Sequence, residues 1–198
     1  EQRVGSRVSL RSRVSHAVYD KFYQNVYPGA VEADGTSVTL SAYHDGTLRR
    51  NLFTQTDLIV SAETGRLHHT LLTGVEVGRQ ETDNFRATGF FTSLGTNITT
   101  VQVPIDNPRS SLPMTFRSTP TTANNHGVAT VAAAYLQDQV AVSRHVQAVV
   151  GVRLDRFAVD FRDQRTGHDF RTEDILVSPR VGVIYKPRDP VSLYASYT

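Results

Sequence analysis

Arginines occupy alternate positions near the start of the chain, in the stretch RVGSRVSLRSRV. The members of this arginine stripe are Arg3, Arg7, Arg11 and Arg13, and the even positions between them include Val8, Leu10 and Val14. Successive side chains of a β-strand point to opposite faces, so a strand here would have one basic and one apolar face. A row of guanidinium groups attracts anions. The stripe therefore predicts a surface that steers an anionic ligand, and solvated or ion-paired arginines are the alternative interpretation.

Aromatic side chains accompany cations at two further places. Tyr19 and Tyr23 lie where the first predicted strand meets its loop, and they would form either a ligand-stacking rim or an interfacial girdle. A second group surrounds the stretch NFRATGFF, and its members are Arg79, Phe85, Arg86, Phe90 and Phe91. Rings beside a guanidinium suit a flat anionic ligand, whereas packing of the loop on itself is the alternative.

No arrangement typical of an enzyme or of a metal site is visible in the sequence. His68 and His69 would point to opposite faces of a strand and could not bind one ion. Arg153 and Asp155 share a face and predict an ion pair rather than an acid–base pair. The chain has no cysteine, and its 21 basic and 19 acidic residues are too balanced to indicate a nucleic-acid partner. We predict that the protein is not an enzyme and carries neither a metal nor a cofactor.

The elements that position these residues are predicted to be β-strands, because apolar residues recur with period two along most of the chain. The first strand is predicted over residues 3–17, and six more follow it. Short turns are predicted near residues 63–66, 143–145 and 187–190, and long loops over 22–47, 83–126 and 163–172. The prediction is an all-β antiparallel meander of about seven long, tilted strands.

Alternating short and long connections are typical of an outer-membrane β-barrel. The longest apolar run, ATVAAAYLQ, is too short for a transmembrane helix, whereas a barrel strand needs only about 9–11 residues. Seven strands would not close an even-numbered barrel. The chain is therefore expected to be an open segment of a larger barrel, and a passive outer-membrane pore and a soluble β-sheet binding module are the alternatives.

Five short motifs carry a family resemblance. In chain order they are YLQDQ at 135–139, GVRLD at 151–155, SPRVG at 178–182, YKP at 185–187 and SLYASY at 192–197. Their order and spacing resemble the barrel of TonB-dependent outer-membrane siderophore receptors, of the catecholate type.

The resemblance implies a bacterial outer-membrane barrel of about 22 strands with a plugged lumen. Such a receptor, surrounded by lipid, moves a ferric siderophore with energy from the TonB complex. Residues 1–198 would be part of the barrel, with the plug, the TonB-contacting segment and the remaining strands expected outside this sequence. The siderophore would be the transported ligand and not a cofactor. Its candidate contacts are Arg11, Arg13, Tyr19, Tyr23, Arg79, Phe85, Arg86, Phe90 and Phe91.

Overall fold

A computed structural model describes residues 2–188 and 190–198, and of Val4 it describes the backbone alone. The described residues form ten β-strands in one antiparallel sheet. The strands are β1 (Gln2–Val4), β2 (Val8–Val31), β3 (Ser37–Thr64), β4 (Leu67–Phe91), β5 (Thr100–Pro104), β6 (Met114–Arg117), β7 (Asn124–Ala141), β8 (Val146–Asp163), β9 (His168–Arg188) and β10 (Val191–Tyr197).

The sheet is an open half-barrel in which neighbours in sequence are mostly neighbours in space. Its strand order is β1-β2-β3-β4-β7-β8-β9-β10, and β5 and β6 pair with β3 and β4 respectively, outside this path. Apart from the three short strands β1, β5 and β6, the strands correspond to the seven predicted ones. The predicted all-β antiparallel meander is confirmed.

The first predicted strand is wrong in its bounds. Residues 5–7 form a turn, with Gly5 at a φ of +75°, and Val4 pairs with Val8. Because glycine adopts this left-handed conformation at no steric cost, the chain folds back on itself. The predicted strand over residues 3–17 is therefore a short β1 and the beginning of a much longer β2.

The predicted long loops are also wrong, because most of their residues continue the strands. Residues 22–47 belong to the β2–β3 hairpin, whose ladder runs without interruption from Val8↔Val60 to Pro28↔Leu40. Only residues 164–167 separate β8 from β9, and the 83–126 segment contains the end of β4 together with β5 and β6. In β3 the alternation of apolar and polar residues continues into this extension, where Val38, Leu40 and Ala42 are buried on one face, and the loop prediction missed it. The predicted turn at 187–190 contains Asp189, which lies outside the described residues.

In this sheet the apolar face is exposed to the surroundings and the polar face is mostly half-buried, which is the opposite of a soluble sheet. The face that carries Gln55, Tyr135 and Arg153, called here the polar face, is mostly half-buried. Apolar side chains of the opposite face stand exposed in a continuous apolar belt, whose members are Val14, Val18, Leu52, Leu58, Val75, Val77, Leu136, Val150, Val152, Leu154, Ile175, Val177, Val181 and Val183. A soluble β-sandwich would bury this face, so the belt argues against a soluble binding module. In the described ranges, no helix has the length and hydrophobicity that crossing a membrane requires.

Apolar side chains are buried instead toward one end of the sheet, called here the long-loop end, which carries the β2–β3 turn and the segment between β4 and β7. Val38 pairs with Val103 and Leu40 with Val101 across β3 and β5. Val38, Leu40 and Val103 are each less than 10% exposed. Since apolar surface is driven together only where water surrounds it, this small core is expected where the strands extend beyond the belt.

Candidate ligand-binding face

The centre of the polar face is organised around Tyr135 of β7. Its hydroxyl donates a hydrogen bond to Oδ1 of the buried Asp57 on β3. The side-chain amide of Gln55 donates to the Tyr135 hydroxyl at 2.9 Å and to Asp57 Oδ1 at 3.2 Å. A buried carboxylate needs such donors to offset its lost hydration, so these three side chains hold one another in place.

Arg153 of β8 connects a carboxylate on its own strand with one on β4, across the intervening strand β7. Its Nε donates to both carboxylate oxygens of Asp155 at 2.9 and 3.0 Å, and its Nη atoms lie 3.3 Å from Oε2 of Glu76. The ion pair predicted between Arg153 and Asp155 is present. One guanidinium thus compensates two carboxylates, and the wall here carries charges of both signs.

Two glycines of β4 make room for aromatic rings on the polar face. A Cβ at Gly74 would lie 2.5 Å from the Tyr135 hydroxyl oxygen, and a Cβ at Gly78 would overlap the ring of Phe53. Both rings therefore lie flat across a neighbouring strand. An aromatic residue that covers a glycine on the adjacent strand is a known stabilising arrangement in sheets.

A second polar cluster lies further along the same face, at the long-loop end. This mouth cluster consists of Tyr23, Tyr27, Tyr43, Asp45 and Arg86. The Tyr43 ring contacts Tyr23 and Tyr27 at centroid distances of 5.8 and 5.5 Å, and the Arg86 guanidinium carbon lies 3.8 Å from its centroid. Arg86 Nη1 also lies 3.7 Å from Asp45 Oδ2. The guanidinium is held flat against an aromatic ring while 40% of its side chain remains exposed.

Hydrogen bonding keeps the Tyr23 phenol protonated. The one hydroxyl proton of Tyr23 is shared between the Tyr43 hydroxyl and, second, the Asp45 carboxylate, and because ionisation would remove it, this hydrogen bonding raises the pKa of Tyr23 to about 12. The same bond from Tyr23 lowers the pKa of Tyr43, which accepts it. The mouth cluster therefore presents a neutral phenol at Tyr23 and a cation at Arg86.

A further cation–aromatic pair lies next to the mouth cluster. The guanidinium carbon of Arg117 lies 3.9 Å from the ring centroid of Phe90, and Arg117 also donates to the carbonyl oxygen of Thr96. A cavity of about 240 Å³ adjoins the mouth cluster and is lined by Tyr27, Tyr43, Arg86, Thr88, Thr99 and Thr122, among others. Ligand pockets usually measure about 300–1,000 Å³, so this wall supplies only part of a site for a large ligand.

Six of the nine candidate residues lie on the polar face, as their cross-strand partners establish. These are Arg11, Arg13, Tyr19, Tyr23, Arg86 and Phe90. Arg11 lies directly opposite Asp57 in the β2–β3 ladder, and Arg13 lies opposite Gln55. Phe90 is buried beneath Arg117, which makes it a support for that cation.

The other three candidates, all on β4, do not lie on the polar face. Arg79 and Phe85 are on the opposite face, where Arg79 lies near Glu81 and the ring of Phe85 is 5.9 Å from that of His44. Phe91 is fully buried. Sequence reasoning missed Tyr43, Asp45 and Arg117, which lie in segments predicted to be loops, where the alternation of faces was not applied.

The architecture and the two differently solvated faces are shared with a known family. The family described as TonB dependent receptor-like, beta-barrel, matches residues 3–198. The chain belongs to this family. Its members are outer-membrane proteins, and in such a barrel an exposed apolar belt is expected to face lipid and a polar face is expected to line the lumen.

Among curated proteins, the metal-pseudopaline receptor CntO of Pseudomonas aeruginosa is 26% identical to this chain over 199 residues. The match covers 94% of this chain and 26% of that receptor. The chain thus spans about a quarter of the length of the curated relatives it matches.

Solved structures show the same fold. The siderophore receptor PiuA from Acinetobacter baumannii matches with a TM-score of 0.82 at 17% identity, over 98% of this chain and 30% of that one. The open form of the ferric-catecholate import receptor Fiu from E. coli K12 matches with a TM-score of 0.70 at 20% identity, over 98% of this chain and 33% of the other. Both likenesses support the half-barrel fold.

Proposed function

We propose that this chain forms part of the barrel wall of a receptor that imports a ferric siderophore, of the catecholate type, across the bacterial outer membrane with energy from the TonB complex. The family supports the receptor barrel. The names of PiuA and Fiu, a siderophore receptor and a ferric-catecholate receptor, support the ligand class. The plug and the TonB-contacting segment would be supplied by parts of the protein outside these 198 residues.

The observation that carries the proposal is the guanidinium of Arg86 against the ring of Tyr43. Lys21, Arg86 and Arg117 place three cations on or beside aromatic rings at the lumen mouth, where Asp45 is the acidic member of the cluster. An anionic chelate with flat aromatic arms gains charge attraction from the cations and stacking from the rings. Short turns face the periplasm in such barrels, so this mouth opens to the outside.

Arg11 and Arg13 lie deeper on the same face, at the level of Gln55 and Asp57. They would form a second contact for an anion that has passed the mouth cluster. Because Asp57 is buried and bound to Tyr135, the path changes from a cationic mouth to a wall of mixed charge. This gradient would favour entry of the chelate without holding it too tightly.

The test is chelate binding to the complete receptor in detergent, followed by quenching of its intrinsic fluorescence. Arg86→Gln should weaken the binding of a ferric tricatecholate by about 2- to 30-fold, the range that a cation–π contact of about 0.5–2 kcal/mol corresponds to. Arg156→Gln is the matched control, since Arg156 pairs with Glu173 on the opposite face. Equal affinities for the Arg86→Gln variant and the unmodified receptor would refute a ligand role for the mouth cluster.

The salt dependence of chelate binding distinguishes charge attraction by Arg11 and Arg13 from the contribution of the Phe90 ring. Arg11→Gln combined with Arg13→Gln should lower affinity or uptake at low salt and have little effect at 1 M salt, where the screening length is ~3 Å. Phe90→Ala removes the support of Arg117 and should weaken binding at every salt concentration. If neither change alters binding or uptake, the ligand contacts lie on parts of the receptor beyond this chain.

A further inference from the structure

Three potential metal ligands converge on the outward face of β4 and β7. They are Glu81 and Asp83 on β4 and His126 on β7, and one donor atom from each lies within 4.8 Å of the others. Asp83 and His126 are direct partners in the β4–β7 ladder. All three are half-buried. The sequence prediction that the chain has no metal site overlooked them, because 43 residues separate Asp83 from His126 and the register was unknown.

The imidazole ring is what distinguishes this triad from an ordinary acidic patch. His126 Nδ1 lies 2.7 Å from Asp83 Oδ1, and its Nε2 lies 3.9 Å from Glu81 Oε1. One nitrogen therefore faces each carboxylate, and a single ion would bind only one of the two nitrogens together with one oxygen each of Glu81 and Asp83. An imidazole together with carboxylate oxygens is a donor set that suits first-row divalent metals such as Zn²⁺, whereas Mg²⁺ and Ca²⁺ prefer oxygen ligands alone.

Two arginines lie beside the carboxylates on the side away from His126. Arg50 Nη1 lies 3.9 Å from Asp83 Oδ2, and Arg79 Nη2 lies 3.6 Å from Glu81 Oε2. Each carboxylate thus turns one oxygen to an arginine and the other to His126. Outer partners that orient metal ligands in this way are a regular feature of metal sites. Both arginine side chains are more than half exposed, and such pairs are worth only about 0–1 kcal/mol, so they can yield when a cation binds.

The space needed by an ion is nearly present. Two donors bound tetrahedrally to Zn²⁺ at about 2.0–2.1 Å lie about 3.3 Å apart. The 2.7 Å separation of His126 Nδ1 and Asp83 Oδ1 must therefore increase by only a few tenths of an ångström. Small rotations of these half-buried side chains would supply that movement while the backbone ladder stays as it is.

We propose that Glu81, Asp83 and His126 bind a first-row divalent cation, with water completing the coordination. The site lies just beyond the lipid-facing belt, since Val75 and Val77 precede it on the same face of β4. It is on the opposite side of the sheet from the mouth cluster, so it is separate from the proposed transport path. A cation there cross-links β4 to β7 at the membrane surface.

The experiment titrates ZnCl₂ into the complete receptor in detergent by calorimetry, without any chelate. The His126→Ala variant should bind one Zn²⁺ fewer than the unmodified receptor, and Glu81→Gln should weaken that site at least tenfold. His68→Ala is the matched control, since His68 faces a single carboxylate, that of Glu63, at 3.5 Å. It should bind Zn²⁺ as the unmodified receptor does.

Two further readouts keep the result decisive. A zinc-soaked crystal should show anomalous scattering between the three side chains, and Zn²⁺ should raise the unfolding temperature of the unmodified receptor more than that of Glu81→Gln. Equal stoichiometry and affinity in the unmodified receptor and both variants would overturn the proposal. So would an anomalous map with no signal at the triad. Either outcome would leave the three residues as an ion-pair network, without bearing on chelate binding at the mouth.

Discussion

The hydroxyl of Tyr135 reaches Asp57 across the gap that Gly74 leaves in the intervening strand. The three residues lie on β7, β3 and β4, and both ladders bring them into line, with Asp57 opposite Gly74 and Gly74 opposite Tyr135. A Cβ at Gly74 would also lie 2.7 Å from the Thr56 carbonyl oxygen. A single missing side chain thus permits a hydrogen bond between strands that are not neighbours.

Removing the Tyr135 hydroxyl should destabilise the barrel. In Tyr135→Phe the buried Asp57 loses a donor and keeps only Gln55 among the donors described above, and an unsatisfied buried group costs about 1–3 kcal/mol. Chemical unfolding of the complete receptor in detergent measures this loss. Tyr194→Phe is the control, because Tyr194 is 82% exposed and should unfold as the unmodified receptor does. Equal stability of the two variants would contradict the structural role of the bond.

Adding a methyl group at Gly78 should be costly as long as Phe53 is present. Gly78→Ala places a Cβ against the Phe53 ring, and such overpacking typically costs about 1–3 kcal/mol. The double variant with Phe53→Ala should recover part of that loss, and a double-mutant cycle measures the coupling. Gly46→Ala in the same sheet is the control, since a Cβ there meets nothing within 4 Å. Additive effects at Gly78 and Phe53 would show that the ring does not depend on the gap.

Phe91 should hold the long segment after β4 in place, and the exposed Leu94 should not. Phe91 is fully buried, and replacing such a phenylalanine by alanine costs about 3–5 kcal/mol. Phe91→Ala should therefore loosen the segment over residues 92–123 and speed its cleavage by added protease. Leu94→Ala, at a side chain that is 51% exposed, should leave the cleavage rate unchanged. Equally fast cleavage of both variants would contradict the packing described for Phe91.

The turn between β2 and β3 should respond to acid. Asp34 accepts hydrogen bonds from the Thr36 and Ser37 amides and from the Ser37 hydroxyl, and these bonds lower its pKa from 3.8 to about 2. A group with a lowered pKa stabilises the folded turn above its unfolded value of about 3.9, and that contribution is lost as the pH falls toward 2. The ¹³Cγ resonance of Asp34, assigned with an Asp34→Asn variant, should therefore titrate near pH 2. A midpoint close to 3.8 would show that the bonds do not persist in solution.

Within the belt, the sequence was a reliable guide to the fold. Val75 and Val77 alternate with Gly74, Glu76 and Gly78, and the structure places the two sets on opposite faces. The reason is physical, since lipid on one side and the lumen on the other impose opposite requirements at every second residue. The turn near Gly65 was also recognisable from the glycine in a short polar stretch. The structure gives this glycine a φ of +62°, a conformation that favours glycine.

Beyond the belt, the segments over residues 22–47 and 83–126 were predicted to be loops, and the alternation of faces was not applied to them. Tyr43 and Arg86 therefore gave no sign that they share a face, although they form the closest cation–ring contact in the mouth cluster. Their meeting depends on the register His44↔Ala87, a long-range property that local composition does not encode. Phe85 and Arg86 were both candidates from the sequence, and one position in the register decides which of them lies on the polar face.

The length of the β2–β3 hairpin has a consequence for the thermodynamics of ligand capture. Its strands contain 24 and 28 residues and would each extend about 80–90 Å at ~3.3 Å per residue, far more than an apolar band about 25 Å tall requires. The residues of the mouth cluster thus stand on continuous hydrogen-bonded ladders and not on mobile loops. A ligand that meets a preorganised surface spends less of its binding energy on ordering that surface. For this wall of the receptor, selectivity is expected to come from rigid spacing of rings and charges, with any closing motion supplied by other parts of the protein.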